Sequence, residues 1–226
     1  METFRFSRFA GTWVAAAVAL SGLLLGGVEA GAAEGKQTFD AKKCRDCHQT
    51  EGPAKAKTIQ DQLATKGPEL WYAGSKFKKE FLGKWLKDPK PLRPLEFNSL
   101  TKKNPADHPK LSGKDADEVT EYLMSLKSKD VEEGVVKPDK NPKNRNIFEK
   151  KQGCYGCHPV KRGEKILGGL TGPTLIGAGE RLNPSWIYAY LKKPKVFKPV
   201  KRMPVYVDIL SDSEMKGVAA YIGTFE

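Results

Sequence analysis

The sequence has few of the side chains from which enzymes build catalytic and metal sites. It contains three histidines and four cysteines in 226 residues, and no acidic cluster or nucleotide-binding loop accompanies them. Only 39% of the residues are hydrophobic, although this count includes an apolar amino terminus. Two domains of roughly 90 residues with so few apolar groups would have marginal cores. The composition therefore argues against catalysis by side chains alone and indicates that another apolar group fills part of the core.

Basic residues dominate the charge of the chain. Lysine and arginine exceed aspartate and glutamate by 12, which favours an acidic protein surface, an anionic membrane or nucleic acid as partner. No nucleic-acid partner is expected, because an exported protein rarely meets one. The basic residues are spread along the chain and form no block, so a merely solvated surface is the alternative.

The amino terminus predicts export to the periplasm. Two arginines precede an apolar run over residues 9–28, and the small residues "VEAGAAEG" follow it. This order is typical of a secretory signal peptide, here residues 1–33, with cleavage near Ala30 or Ala33. The alternative is an uncleaved anchor, because the run is just long enough to cross a bilayer.

All four cysteines lie in two Cys-x-x-Cys-His pentads, "CRDCH" and "CYGCH". Two thiols three positions apart on a helical turn can reach both vinyl groups of one haem, and the next histidine then lies under the iron. Zinc is the main alternative, but the two pairs lie much further apart than in a zinc ribbon. The sequence thus predicts two covalent haem c groups. Cys44, Cys47, Cys154 and Cys157 would attach them, with His48 and His158 as proximal ligands.

The chain contains an internal repeat. Residues 66–90 align with residues 171–195 at a constant offset of 105, sharing a Gly-Pro, an Ala-Gly pair, an aromatic-rich helix and a final proline. The segments that begin at Leu111 and Leu210 also align, and both have a serine N-cap, acidic first-turn residues and apolar residues at helical spacing. These features predict a final helix in each copy.

The repeat divides the chain into two domains. Residues 34–126 form the predicted domain 1 and residues 147–226 the predicted domain 2, each mostly helical with long loops. Residues 127–146 between them are charged and proline-bearing, which predicts an exposed linker.

Each half resembles a class I cytochrome c, and the whole is similar to the two-domain dihaem cytochromes c of bacterial periplasms. The resemblance rests on the two pentads, the Gly-Pro after each pentad and the "RMP" before the last helix. It covers essentially all of the chain after the signal peptide. It implies an all-α fold of two tandem domains, each wrapped around a covalent haem, and electron transfer without a catalytic residue.

In that family a methionine on the long loop before the last helix is usually the distal iron ligand, often followed by proline. Domain 2 matches this pattern in "KRMPVYVDILSDSEM", which makes Met203 the candidate. The alternative for any methionine is core packing, which is expected of Met215 inside the final helix. Domain 1 has no methionine on its corresponding loop, and Met124 on its last helix is also expected to pack in the core.

A histidine occupies the corresponding place in domain 1. His108 precedes Pro109 in "DHPKLSG" as Met203 precedes Pro204, although the interval to the last helix is four residues shorter. A solvated surface histidine is the alternative. The resemblance implies the ligand sets His48/His108 in domain 1 and His158/Met203 in domain 2.

These ligands predict the direction of electron flow. A thioether favours ferrous iron and raises the reduction potential more than a second imidazole does, so domain 1 should have the lower potential and pass electrons to domain 2. Acidic redox partners would dock on the lysines of "LKKPKVFKPVKRMP", with Val196 and Phe197 among them. The alternative is a loop that its lysines keep soluble. Two alternatives are a dihaem peroxidase-like enzyme with an open site in domain 1, and a haem-bearing subunit of a membrane respiratory complex.

Overall fold

A computed structural model describes residues 19–226 of the chain, and their side chains from residue 30 onward. Of the predicted signal peptide, residues 1–33, residues 1–18 lie outside the described residues, and the side chains of residues 19–29 are not described. Helix α1 (Ala19–Ala41) runs without a break through both predicted cleavage positions, Ala30 and Ala33. Within residues 19–226, no helix combines the length and the apolar character needed to cross a membrane.

Domain 1 is a set of helices around the first pentad. After α1 come a 3-10 turn (Cys44–Asp46) and helices α2 (Ile59–Ala64), α3 (Ala73–Lys76), α4 (Lys79–Lys87) and α5 (Gly113–Ser125). Helices α1 and α5 cross so closely at Gly35 that an added Cβ there would lie 2.0 Å from the carbonyl oxygen of Glu118. Phe39, Val119 and Leu123 are buried between these helices and form much of the core.

Domain 2 repeats this order, with a pair of strands in place of the second helix and one additional short helix before the last. Helix α6 (Pro142–Asn146) continues as a π-helical turn (Ile147–Lys151), and a 3-10 turn (Cys154–Gly156) follows. Next come strands β1 (Val160–Arg162) and β2 (Lys165–Leu167). The domain ends with helices α7 (Ala178–Arg181), α8 (Pro184–Lys192), α9 (Pro194–Phe197) and α10 (Asp212–Ile222). The two strands form an antiparallel hairpin that the sequence did not predict. Helices α6 and α10 meet at Gly217, where a Cβ would lie 2.3 Å from Oδ1 of Asn144.

The internal repeat is visible in the helix boundaries. Helices α3 and α4 begin and end 105 positions before α7 and α8. The last helices, α5 and α10, both have a serine N-cap, Ser112 and Ser211, whose hydroxyl accepts a hydrogen bond from a first-turn N–H. The predicted all-α class, with two tandem domains of this type, is confirmed.

Most of the segment predicted as an exposed linker, residues 127–146, is exposed, but two of its valines are buried. Val131 and Val136 are both 7% exposed and belong to the core of domain 2. The N–H of Val136 donates to the buried hydroxyl of Ser185, and the last five residues form α6. The segment has few apolar residues, but two of them suffice to hold it against the domain.

An aromatic cluster joins the two domains. Tyr72 of domain 1 stacks on Trp186 of domain 2, with ring centres 5.9 Å apart, and Trp71 stacks on Phe197 at 6.0 Å. Tyr72 is 4% exposed and is part of the domain 2 core. The aromatic rings of domain 1 therefore complete the core of domain 2 and hold the domains together.

Candidate haem sites

Both pentads fold into the same tight turn. The carbonyl oxygen of Cys44 accepts the N–H groups of Cys47 and His48, at 3.2 and 3.0 Å. The carbonyl oxygen of Cys154 accepts the corresponding two N–H groups, each at 3.3 Å. The residue before each turn has left-handed backbone, with φ of 57° at Lys43 and 54° at Gly153. Each turn thus brings two thiols and an imidazole together within five residues of chain.

The four cysteines are free thiols. Cys47 and Cys157 are exposed, whereas Cys44 and Cys154 are partly buried. Burial raises the pKa of Cys44, and it raises the pKa of Cys154 to about 11. Burial therefore favours the protonated thiol at Cys44 and Cys154, and a cysteine sulfur that adds across a haem vinyl forms a thioether.

The Gly-Pro after each pentad orients the proximal imidazole. Nδ1 of His48 lies 2.8 Å from the carbonyl oxygen of Pro68, and Nδ1 of His158 lies 2.7 Å from that of Pro173. A protonated Nδ1 donates to this carbonyl, which leaves Nε2 as the free metal-binding atom.

The glycine of each Gly-Pro gives the imidazole its space. A Cβ on Gly67 would lie 2.8 Å from Cε1 of His48, and a Cβ on Gly172 would lie 2.6 Å from Nδ1 of His158. Burial also lowers the pKa of both imidazoles, which favours the neutral form that binds a metal. The Gly-Pro pairs, noticed in the sequence as repeat markers, are thus part of the proximal site.

His108 lies opposite His48 in domain 1. The two imidazole ring centres are 6.1 Å apart, with an angle of 45° between the rings. A metal between two imidazoles, with metal–nitrogen bonds of about 2 Å and ~1 Å more to each ring centre, separates the centres by about 6 Å. Nδ1 of His108 lies 3.0 Å from the carbonyl oxygen of Pro109, and Trp85 packs on the ring at 4.6 Å. The distance between the two rings therefore suits the binding of one metal by both imidazoles.

Met203 lies on the loop between α9 and α10. It is partly buried and packs against the domain 2 core. Met215 is 4% exposed inside α10, and Met124 packs on the domain 1 core from α5. Of the methionines within residues 19–226, Met203 is the one that lies outside a helix.

Groups at the domain boundary fit the acidic edge of a haem. The indole nitrogens of Trp71 and Trp186 are buried, and neither has a hydrogen-bond partner among the described residues. A buried N–H requires an acceptor, and a haem propionate can supply one. The surrounding basic groups are Lys76, Arg93, Arg181 and Lys198. Burial lowers the pKa of Arg181 to about 10. Burial, and then repulsion by Arg93, Arg181 and Lys198, lowers the pKa of Lys76 to about 7, with the carboxylate of Glu69 acting in the opposite direction. Haem carboxylates would neutralise these cations and would accept hydrogen bonds from the two indole N–H groups.

The lysine-rich segment predicted as a docking surface also contacts domain 1. Phe197 is fully buried in the domain 2 core, and Lys198 lies 3.6 Å from Glu69 of domain 1. Lys193 pairs with Asp130 at 2.8 Å. Lys192, Lys193, Lys195 and Arg202 of this segment are exposed. A single sequence cannot show that the segment faces domain 1. Phe197, a large apolar residue among the lysines, nevertheless indicates that part of the segment is buried.

The fold and the two pentad sites define a two-domain haem-binding protein that transfers electrons. A family model described as Cytochrome c matches residues 32–127 and 144–226. The chain belongs to the cytochrome c family.

One curated relative is cytochrome c oxidase subunit 2 of Bacillus subtilis (strain 168). It is 36% identical over 101 residues, which make up 43% of this chain and 27% of the relative. The chain thus matches about a quarter of that protein's length. No solved structure matches the chain.

Proposed function

We propose that this chain is a periplasmic dihaem cytochrome c that passes single electrons between redox proteins. Haem c supplies an iron that alternates between the ferrous and ferric states. The observation that carries the proposal is the pair of facing imidazoles, His48 and His108, with ring centres 6.1 Å apart and each Nδ1 beside a carbonyl oxygen. Two imidazoles held in this way leave no coordination position for a substrate.

The side chains have distinct roles in this proposal. Cys44 and Cys47 attach one haem, and Cys154 and Cys157 attach the other. His48 and His108 would bind the iron in domain 1, and His158 and Met203 would bind it in domain 2. A thioether favours ferrous iron more than imidazole does, so electrons pass from domain 1 to domain 2. The excess of basic residues favours an acidic protein as partner.

Ligand binding to the reduced protein tests this proposal against a peroxidase-like enzyme. Carbon monoxide should bind the ferrous protein slowly and incompletely, because both irons already have six ligands. A His108→Ala variant should bind it rapidly in domain 1 alone. Rapid binding to the wild-type protein would contradict the ligand sets and support an open site in domain 1.

The similarity to an oxidase subunit favours a second candidate. The matched relative is named as a subunit of cytochrome c oxidase, so this chain could serve as a haem-bearing component of a membrane respiratory complex. Fractionation and amino-terminal sequencing of the native protein distinguish the candidates. A free carrier would be recovered in the periplasmic fraction with the signal peptide removed, whereas a complex subunit would remain with the membrane.

A further inference from the structure

One segment of domain 1, residues 92–99, contacts two loops of domain 2: the Gly-Pro loop whose carbonyl lies beside His158, and the loop that carries Met203. At its start, the carbonyl oxygen of Leu92 accepts the N–H of Thr174 at 3.0 Å. The guanidinium of Arg93 donates to the carbonyl oxygen of Thr171 at 3.3 Å. Both contacts flank the proline carbonyl that orients the proximal imidazole of domain 2. Domain 1 therefore supports the proximal loop of its neighbour.

The end of the same segment contacts the loop that carries Met203. The neighbouring residue, Arg202, donates from Nη2 to the carbonyl oxygen of Asn98 at 2.7 Å and from Nη1 to that of Ser99 at 3.3 Å. The planar fork of a guanidinium can bind two adjacent carbonyls at once, which an ammonium group cannot reproduce. This contact ties the methionine loop to domain 1.

The acceptor on domain 1 is itself firmly held. Asn98 has left-handed backbone, with φ of 66°. Its side-chain amide donates to the carbonyl oxygens of Gln62 and Thr65, at 2.6 and 3.0 Å, and accepts from Nε2 of Gln62 at 3.1 Å. Asparagine tolerates this backbone conformation better than most residues. The carbonyl that Arg202 contacts is thus fixed to helix α2.

We propose that Arg202 is a positioning residue for the axial methionine of domain 2, and that it acts through the 92–99 segment of domain 1. This inference rests on the proposed function, in which Met203 is an iron ligand. A ligand on a long loop dissociates more easily when the loop is free, because each unrestrained residue gains conformational entropy. Domain 1 restrains this loop next to the ligand, so the integrity of the domain contact determines how firmly the methionine stays on the iron.

Cyanide binding to the oxidised protein tests this inference, because cyanide must displace the methionine. We expect Arg202→Gln to accelerate binding at domain 2 by about tenfold, the effect of losing a charged hydrogen bond. Asn98→Gly should act in the same direction from the other domain, since glycine keeps the backbone conformation and loses the anchoring amide. Arg202→Lys should give an intermediate rate. Lys201→Gln changes the charge next to Arg202 and serves as the matched control, with a rate equal to wild type.

Three outcomes would overturn the inference. Unchanged rates in both Arg202→Gln and Asn98→Gly would show that the contact does not hold the ligand. Rates that rise only in proportion to a loss of global stability, measured by chemical denaturation, would show a merely structural role. If the wild-type ferric spectrum lacks the far-red band of a methionine–iron bond, the proposed ligand set fails and the inference with it. A band in the wild type with unchanged variant rates contradicts the inference alone.

Discussion

Phe77 of domain 1 pairs antiparallel with Leu182 of domain 2, and the two residues hold the same position in the two repeats. The flanking hydrogen bonds are equivalent as well. The N–H of Lys78 donates to the carbonyl oxygen of Arg181 at 3.0 Å, and the N–H of Asn183 donates to that of Lys76 at 2.8 Å. At this pairing the domains meet as the subunits of a two-fold symmetric dimer do, each using the same main-chain positions. Main-chain bonds and buried rings fix this arrangement, so we expect salt to have little effect on it.

Lys76, beside this pairing, should raise the reduction potentials. Its Nζ lies 4.8 Å from the ring centre of Trp186 and 5.9 Å from that of Tyr72. A buried cation favours the reduced, less positive haem, so Lys76→Met should lower the potentials by an amount on the order of tens of millivolts. Lys84→Met, on the exposed side of α4, is the control and should leave the potentials unchanged. Spectroelectrochemical titration provides the measurement.

The effect of Lys76→Met should also depend on pH. Burial lowers the pKa of this ammonium to about 7, and a haem carboxylate beside it would raise that value, so the side chain loses its charge as the pH rises above 7. The difference in potential between wild type and variant should therefore shrink in alkaline solution. A difference that stays constant from acid to alkaline pH would contradict this assignment.

Gly172→Ala should disturb the proximal site of domain 2. The new Cβ would lie 2.6 Å from Nδ1 of His158, and overpacking of this kind destabilises by about 1–3 kcal/mol. Gly113→Ala adds a methyl group where nothing lies within 4 Å and is the matched control. Thermal unfolding and the haem spectrum of domain 2 should change in the first variant only. Equal behaviour of the two variants would mean that the imidazole has more room than the structure gives it.

Removing one pair of thiols should remove one haem. A Cys44→Ser/Cys47→Ser variant and a Cys154→Ser/Cys157→Ser variant should each carry half the covalent haem of the wild type, as measured by pyridine haemochrome absorbance per mole of protein. The variants serve as controls for each other. Loss of all haem from one of them, with the protein still folded, would contradict independent attachment.

Asp212 should stabilise domain 2 at neutral pH. Hydrogen bonds from the Tyr188 hydroxyl, Lys192 and Lys216 hold its pKa below the usual value for aspartate, and it lies in the first turn of α10, where a negative charge is favourable. A carboxylate with a lowered pKa contributes stability above its ordinary pKa of about 3.9, and this contribution is lost as the pH falls through the folded-state pKa. Asp212→Asn should be less stable than wild type at pH 7 and should approach it in acid. Chemical denaturation at several pH values tests this prediction. A difference in unfolding free energy between variant and wild type that stays constant with pH would contradict it.

Most of the fold could be predicted from the sequence because the repeat and the pentads are local patterns. Helices α4 and α8 lie where the aligned aromatic segments predict them, and the serine N-caps of the last helices are those expected. The candidate ligand His108 could also be predicted, because the alignment of the two repeats places His108 where domain 2 has Met203.

Contacts between the domains could not be predicted. Phe197 reads as part of a lysine-rich surface but is buried, because Trp71 and Tyr72 from the other domain cover it. Val131 and Val136 are likewise buried in the core of domain 2. The low number of apolar residues in their own segment does not predict this burial. Such burial depends on how two folded units meet, and hydrophobic periodicity within one segment carries no information about it.

A redox titration followed by electron paramagnetic resonance tests the central claim most directly. We predict two one-electron steps and two low-spin ferric signals, with the lower potential at the site of His48 and His108. A His108→Met variant should raise that potential by an amount on the order of 100 mV and change one signal, leaving the other unaltered. A higher potential at the His48 site than at the His158 site, or no change on replacing His108, would contradict the account.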